Sequence, residues 1–393
     1  MAFHDPGHSG TTSNSLSPPL TLAWTWTDPL TYDTVTFPPG TGYFWLPVYY
    51  RGHLYVQGGN NANRLFELSP SGSLICYWNN PDDAQNGTSK FQFQNYPAAS
   101  AGYIVTESSD FSIPVTTDGT CSSTTGISNT YGGYPTGAVG SWNDTLAYAE
   151  FYESDTNPQT SNNFYMYPQP NNITTSTAIP PLGSTYLPNN STTFADSGFI
   201  VPAAYSLSGN PVAISPVEGQ IWAFNIATGA DAWSGPLGSN QYYGVSPAIN
   251  GTTMYVFNAG GGLDHLESWN ISGTTPSQNW SVFTARLDSI IVSNGMIYGG
   301  GVNTTTFYAI NASNGSTAWT LTTSSAWTPY QIPAISGNVI YVPSPDGNLF
   351  ALNATTGAQI WEYTGSGGAF GPVIIAGGYL FTSDYNLTLY AFQ

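Results

Sequence analysis

Charge is what this sequence has least of. Only 7% of its 393 residues are Asp, Glu, Lys or Arg, against roughly a quarter in ordinary soluble domains. Positive charge is almost missing, the whole basic set being Arg51, Arg64, Lys90 and Arg286. A groove that tracks nucleic-acid phosphates cannot be built from so few cations, which excludes that class of partner. Long apolar runs are missing too: no stretch approaches the length of a membrane span, so no direct membrane insertion is expected. Met1 to Pro18 has no apolar core of a signal peptide. A leader is therefore expected to lie outside this numbering, unless the protein leaves its cell inside or on a virus particle. Cysteine is nearly absent, with Cys76 and Cys121 alone. That excludes a disulfide-rich scaffold and Cys/His zinc spacing; it allows one Cys76–Cys121 bridge in an oxidising compartment, or a buried free pair, and the bridge is the expectation.

The charge deficit has a consequence at low pH. The formal net charge of −18 at neutrality becomes, with every carboxylate protonated, at most about +9 from four Lys/Arg, four His and the amino terminus. Self-repulsion of positive charge, a main driver of acid unfolding, is thereby capped. The composition reads as adaptation to an acidic exterior; a neutral, Ser/Thr/Asn-rich secreted protein is the plainer alternative. Asn-x-Ser/Thr sequons point to the same exterior: Asn86, Asn143, Asn172, Asn189, Asn190, Asn250, Asn270, Asn279, Asn303, Asn311, Asn314, Asn353 and Asn386. Ser and Thr are common enough here that part of this set arises by chance.

What the chain does have is aromatics, 27 Tyr, 19 Phe and 12 Trp, and side chains of this kind suit β-sheet faces. They recur in a cassette of alternating strand, Gly-containing turn and Trp. It runs from Gln220 to Asn225 with Gly229 and Trp233, from His265 to Asn270 with Gly273 and Trp280, from Thr306 to Asn311 with Gly315 and Trp319, and from Asn348 to Asn353 with Gly357 and Trp361. The spacing of about 40 residues is that of one propeller blade per repeat. Blade openings recur as well: Pro47-Val48 to Gly52, Pro247-Ala248-Ile249 to Gly251, Pro333-Ala334-Ile335 to Gly337, and Pro372-Val373 to Gly377. The apolar run reads as a buried inner strand and the Gly as a tight hairpin. Ser289-Ile290-Ile291 is a fifth copy without the Pro, and 3.6-residue periodicity is nowhere persuasive.

These observations predict an all-β chain: an eight-bladed β-propeller of four-stranded antiparallel blades, or seven if one copy within 79–200 is only an insertion. Residues 1–18 read as a flexible arm, 19–393 as one propeller domain, and 79–200 as diverged blades with long loops. Pro372 to Phe381 and Asn386 to Phe392 supply the opening strands of a last blade. The strand from Leu20 to Thr27 then supplies its missing outer strand, closing the ring and covering its edges.

The cassette resembles the PQQ-like repeat, the blade unit of quinoprotein alcohol dehydrogenases and of a bacterial outer-membrane assembly lipoprotein. The phrases carrying the resemblance are Gly219 to Gly229 with Trp233, and Gly347 to Gly357 with Trp361. It is strong over 201–393, fair over 43–78 and weak over 79–200. It implies that the Gly makes the turn and that a Trp docks between adjacent blades, here Trp26, Trp78, Trp233, Trp280, Trp319 and Trp361. The repeat marks a fold rather than an activity. The enzymes of the family use adjacent cysteines and a calcium-holding Asp/Asn/Glu set, and neither is found in this sequence. No catalytic residue, metal ligand or cofactor-binding residue is therefore expected.

The remaining polar constellations are thin. Asp264, His265 and Glu267, with Arg286 and Asp288 about one strand later, could form a polar or metal-binding cluster, but read more simply as the solvent face of a variant blade. His4 and His8 sit on the arm; Asp82-Asp83 and Glu150/Glu153/Asp155 read as solvated loop carboxylates. The expected function is that of a non-enzymatic, extracellular structural or recognition propeller on a cell envelope or virion surface, binding protein or glycan partners through 79–200. The competing readings are a diverged quinoprotein or polysaccharide-active enzyme, and an envelope assembly scaffold.

Overall fold

The computed structural model describes residues 11–29, 47–58, 64–79 and 203–393 apart from single positions and short loops, and between 98 and 187 the strands alone. Among the described residues every regular element is a β-strand. The strands form eight sheets, spanning 48–79, 98–128, 134–187, 203–242, 248–283, 291–322, 334–364 and 374–392. In 48–79, 203–242, 248–283, 291–322 and 334–364, four consecutive strands pair antiparallel in chain order.

Local sequence explains each hairpin. The first two strands of a sheet are joined by two residues, which both take positive φ at Arg51 (49°) and Gly52 (87°) and at Asn294 (50°) and Gly295 (76°), while in the turns Gly251-Thr252 and Gly337-Asn338 only the Gly does (62° and 60°). The first is the turn whose twist matches antiparallel strands, and Gly and Asn reach it most cheaply. In the sheets of 291–322 and 334–364 the first three strands are largely buried and the fourth is mostly exposed. Ile291–Ser293 and Ala334–Ser336 are buried throughout, Asn348–Asn353 is buried except at its ends, and Gln359–Thr364 alternates between exposed and half-buried. Apolar runs therefore occupy the first strands, while Thr, Gln and Trp occupy the outer ones.

The core lies between sheets rather than within one. Leu54, Val56, Phe66 and Leu68 of the first sheet share a cluster with Ile374, Phe381, Leu389 and Ala391 of the last. Tyr205, Ile214 and Trp233 are clustered with Met254, Val256 and Leu266 of the following sheet. The strand Leu22–Trp26 pairs antiparallel with Leu389–Phe392, and Thr21 and Gln393 exchange backbone hydrogen bonds of 2.8 and 3.0 Å beside it.

The described part of the expected arm is held rather than free. Thr11–Thr12 pairs in parallel with Ile335 and Ser336, on the open edge of the strand Ala334–Ser336. The Ser336 hydroxyl donates to the carbonyl of Asn14 (2.9 Å) and accepts from the amide of Leu16 (3.0 Å), while the Tyr341 hydroxyl donates to the Leu16 carbonyl (3.0 Å). Leu16 and Leu20 are buried with Tyr341, Phe370 and Tyr390. The Gly/Ser/Pro-rich composition hid two leucines that are enough to seat the segment. His4 and His8 lie outside the described residues.

Candidate functional site

The Trp docks come first, because they show which positions are scaffold. Trp319 Nε1 donates to the carbonyl of Ala354 (2.9 Å) and Trp280 Nε1 to that of Ala312 (3.1 Å), each reaching the turn of the next sheet. There each ring lies against a Gly at φ +74°: a Cβ on Gly357 would stand 2.7 Å from the Trp319 ring, and one on Gly315 3.0 Å from that of Trp280. The Gly is thus required both by backbone conformation and by the approach of the ring.

At the N-terminal strand the dock is Trp24, not Trp26 as the pattern suggested. Trp24 Nε1 donates to Pro70 (3.0 Å), and a Cβ on Gly72 would lie 2.6 Å from its ring. Trp26 is instead buried edge-on against Phe66 at 5.0 Å. Two Trp residues in one strand left the choice to register, and Trp24 stands opposite Ala391 as Trp319 stands opposite Ala309. Trp233 donates to the Tyr205 hydroxyl of its own sheet (3.1 Å), and Trp361 packs edge-on against Phe392 of the next sheet at 5.8 Å. Trp78 also departs from the pattern: it is buried opposite Leu65, and its Nε1 has no partner among the described residues.

Against this scaffold the exceptions are carboxylates. Glu267 was expected on a solvent face; it is 5% exposed, on the strand His265–Asn270 where other sheets carry Trp222, Tyr308 or Phe350. Its carboxylate accepts from the Tyr242 hydroxyl (2.8 Å) and Trp269 Nε1 (2.9 Å) at one oxygen and from Asn258 Nδ2 (3.0 Å) at the other. Burial and, secondarily, the Glu267 charge push the Tyr242 phenol well above its usual range, so the hydroxyl remains a donor. His265 stands edge-on to Phe283 at 6.0 Å rather than closing a metal cluster with Glu267. Asp264 gives its backbone carbonyl to Thr284 (3.2 Å). Asp288 lies outside the described residues, which contain no group of three His, Cys, Asp or Glu placed to hold a metal.

Asp384 and Asp346 follow the same logic. Asp384, 1% exposed, accepts from the amides of Asn386 (3.0 Å) and Thr388 (2.9 Å) and from the Tyr390 hydroxyl (2.7 Å). Burial first, and then Asp384, raises the Tyr390 phenol to about 12. Asp346 accepts from the Ser344 hydroxyl and, across to the preceding sheet, from the Ser324 amide (3.0 Å) and hydroxyl (3.1 Å). Burial acts to raise its pKa, but these hydrogen bonds outweigh it and hold the group below the ordinary carboxylate range.

One constellation differs in kind. Glu67 is fully buried in the strand Arg64–Leu68; one carboxylate oxygen meets His53 Nδ1, and the other lies 3.5 Å from Cys76 Sγ. The His53 side chain is 34% exposed and so joins the buried acid to solvent. Cys76 is disulfide-bonded; Cys121, the other cysteine of the chain, lies outside the described residues. One sequence signal marks this site: Glu67 falls where the cassettes have Ala223, Ala309 and Ala351.

Of the sequon asparagines, Asn250, Asn270, Asn279, Asn303, Asn314 and Asn386 are exposed. Asn311 and Asn353 are half-buried and shape turns, Asn311 donating to the Ser316 carbonyl and hydroxyl (3.3 and 2.8 Å) and Asn353 accepting from Thr355 and Thr356 (3.0 and 2.9 Å). Asn86, Asn143, Asn172, Asn189 and Asn190 lie outside the described residues, as do Asp82, Asp83, Glu153 and Asp155 and the side chain of Glu150.

Comparison with known proteins agrees with the architecture. Residues 269–393 match the family described as outer membrane protein assembly factor BamB. The fold is similar to that of BamB from Moraxella catarrhalis, with a TM-score of 0.66 at 12% identity over 96% of this chain and 98% of that one. It is also similar to quinohemoprotein alcohol dehydrogenase from Comamonas testosteroni, with a TM-score of 0.65 at 12% identity over 99% of this chain and 79% of that one. Among curated proteins, a tetrathionate hydrolase of Acidithiobacillus ferrooxidans is 26% identical over 164 residues, 39% of this chain and 28% of that protein. The chain thus spans under a third of that relative's length. Residues 269–393 thus carry a PQQ-like repeat, and the fold is similar to that of PQQ-like β-propellers.

Proposed function

We propose that this protein is a structural and recognition propeller of an acidic extracellular surface, a cell envelope or a virion exterior, and that it binds a neighbouring protein there. The observation that carries the reading is the use made of the carboxylates that break the repeat. Glu267 and Asp346 accept hydrogen bonds that tie one sheet to the next, and Asp384 fastens its own loop. The polar exceptions in this half of the chain are spent on rigidity, leaving a stiff body of low charge density suited to presenting the 79–200 segment. On this reading the eight sheets are eight blades of one ring, with Leu22–Trp26 as the outer strand of the last. The low ceiling on positive charge suits acid, and the exposed sequons offer glycan positions at Asn250, Asn303, Asn314 and Asn386. The likeness to an assembly factor of the outer membrane supports a protein partner. The test is to replace the connections 153–161 and 168–182, which link strands of one sheet within 79–200, by short turns, keeping every strand. Loss of incorporation into the native surface with an intact 201–393 supports the reading; unchanged incorporation counts against it.

One observation favours a second reading, an enzyme: the 26% identity to a tetrathionate hydrolase over 164 residues. Incubating the purified full chain with tetrathionate at acidic pH and following its disappearance separates the two. Turnover above buffer would replace the recognition reading.

A further inference from the structure

Among the described residues the exposed large apolar side chains are Leu22, Ile75, Tyr77, Phe283 and Ile360, and all of them stand on outer strands. Single exposed apolar residues are ordinary on a protein surface, but these fall into two groups. Ile360, Leu22, Ile75 and Tyr77, 38–48% exposed, lie on the outer strands of three successive sheets. The docks show the succession: Trp361 packs on Phe392 of the last sheet, and Trp24 of that sheet's outer strand rests on Gly72 of the first. Ile75 and Ile360 are the extra residues of the same bulge, next to Cys76 opposite Glu67 and Trp361 opposite Ala351. In the sheet of 291–322 that place is held by Ala318, and the outer strand exposes only Thr and Ala.

Phe283 stands apart. It is 73% exposed, the last residue of the strand Ser277–Phe283, and lies opposite His265. In the sheets of 291–322 and 334–364 the same register holds polar pairs, Thr306 opposite Thr322, and Asn348 accepting from the Thr364 hydroxyl (2.9 Å). Here the pair is aromatic. The His265 ring stands edge-on to Phe283 at 6.0 Å, so the phenyl is backed while most of it remains in solvent.

We propose that Phe283 of one copy inserts among Ile360, Leu22, Ile75 and Tyr77 of a second copy, so that the chain assembles head to tail. Charge selects a second copy as the occupant. The strands Leu22–Trp26, Leu74–Asn79 and Ser277–Phe283 contain no Asp, Glu, Lys or Arg, and Gln359–Thr364 contains only Glu362, which accepts from Gln359 Nε2 (3.0 Å). Such a surface finds its electrostatic match in another uncharged surface, and this chain carries both. None of these strands bears a Lys, the usual guard of an exposed edge. Position makes the contact heterologous. Phe283 ends its strand, whereas Leu22, Ile75 and Ile360 are the first or second residues of theirs, so knob and patch lie toward opposite ends of different outer strands. A two-fold axis would set patch on patch; knob in patch repeats from copy to copy. The inference names the neighbour in the proposed reading and rests on that reading only for the idea that a neighbouring protein is bound, because the contact uses no residue of 79–200.

Sedimentation velocity of the full chain over a concentration series tests it, with circular dichroism to confirm the fold of each variant. The wild type should form species beyond the dimer as concentration rises. Phe283→Ser, and Ile75→Thr together with Tyr77→Thr, should each weaken self-association on the order of thirtyfold. Mixing these two variants should restore a 1:1 dimer and nothing larger, because one keeps the patch and the other the knob. If the patch variant does not fold, Ile360→Thr together with Leu22→Thr takes its place. The chain with shortened 153–161 and 168–182 should associate as the wild type does, so failure of the 79–200 reading leaves this result unchanged. A wild type that stays monomeric at every concentration, self-association unaltered by Phe283→Ser, or a mixture without the dimer overturns the inference. Capture of a different protein by the patch in place of a second copy does so too.

Discussion

Gly357→Ala tests how the sheets are joined. Gly357 has φ +74°, and a Cβ there would lie 2.7 and 2.9 Å from atoms of the Trp319 ring, so the substitution carries two costs. The left-handed conformation costs a non-Gly residue roughly 1–2 kcal/mol, and driving a methyl into a packed ring costs roughly 1–3 kcal/mol more. Gly337→Ala is the matched control, because φ is +60° but no atom lies within 4 Å of the added Cβ. It should lose only the conformational part. In urea or guanidinium unfolding, Gly357→Ala is expected to be less stable than Gly337→Ala by about 1–3 kcal/mol. The difference should collapse to near zero in a Trp319→Ala background, where the ring is gone, although Trp319→Ala itself costs about 3–5 kcal/mol. Equal losses for the two glycines in the wild-type background, or a difference that survives Trp319→Ala, would refute the docking account.

Three further outcomes follow from the buried polar groups. Glu267→Gln leaves the Tyr242, Trp269 and Asn258 donors facing an amide and should cost about 1–3 kcal/mol at neutral pH, read by chemical denaturation. Asp346 has a lowered folded-state pKa, so its contribution is present above the ordinary carboxylate range and lost as pH falls through the folded value. Asp346→Asn should therefore be less stable than wild type by about 1 kcal/mol at pH 7, and the two unfolding curves should converge in strong acid. Tyr298, Tyr341 and Tyr390 are raised to about 12 by burial. Neutral phenols in the fold contribute stability below their unfolded value near 10, lost as pH rises toward 12. Spectrophotometric titration should show these three ionising together with alkaline unfolding, and Tyr341→Phe should remove one of them.

The all-β architecture was legible because it rests on period. Ala309, Ala351 and the Trp residues opposite them repeat at one spacing, and each repeat buries its face only against a neighbour. The Pro372–Phe392 pattern likewise pointed to the pairing of Leu22–Trp26 with Leu389–Phe392, since a three-stranded last sheet leaves an edge uncovered. Which of Trp24 and Trp26 docks was not legible, because a bulge between Leu22 and Trp24 shifts the register by less than sequence spacing resolves. The site carboxylates were misread for a different reason. Glu267 looked like a solvent-facing residue because charge normally is, and only the third dimension brings Tyr242, from the preceding sheet, to its carboxylate. Glu67 was readable as an interruption of a buried Ala column, but its pairing with His53 required the hairpin register of the first sheet. The seating of residues 14–20 depended on Ser336 and Tyr341, more than 300 residues away along the chain.

On the proposed reading, this propeller presents a surface to a neighbour rather than turning over a substrate. Subtomogram averaging of the native envelope or particle, with the full chain in place, tests it most directly. The predicted result is propeller density in a regular lattice or complex, contacting its neighbour through the part of the ring that carries 79–200. Recovery of the protein only as an isolated, unassembled monomer that consumes tetrathionate would contradict it.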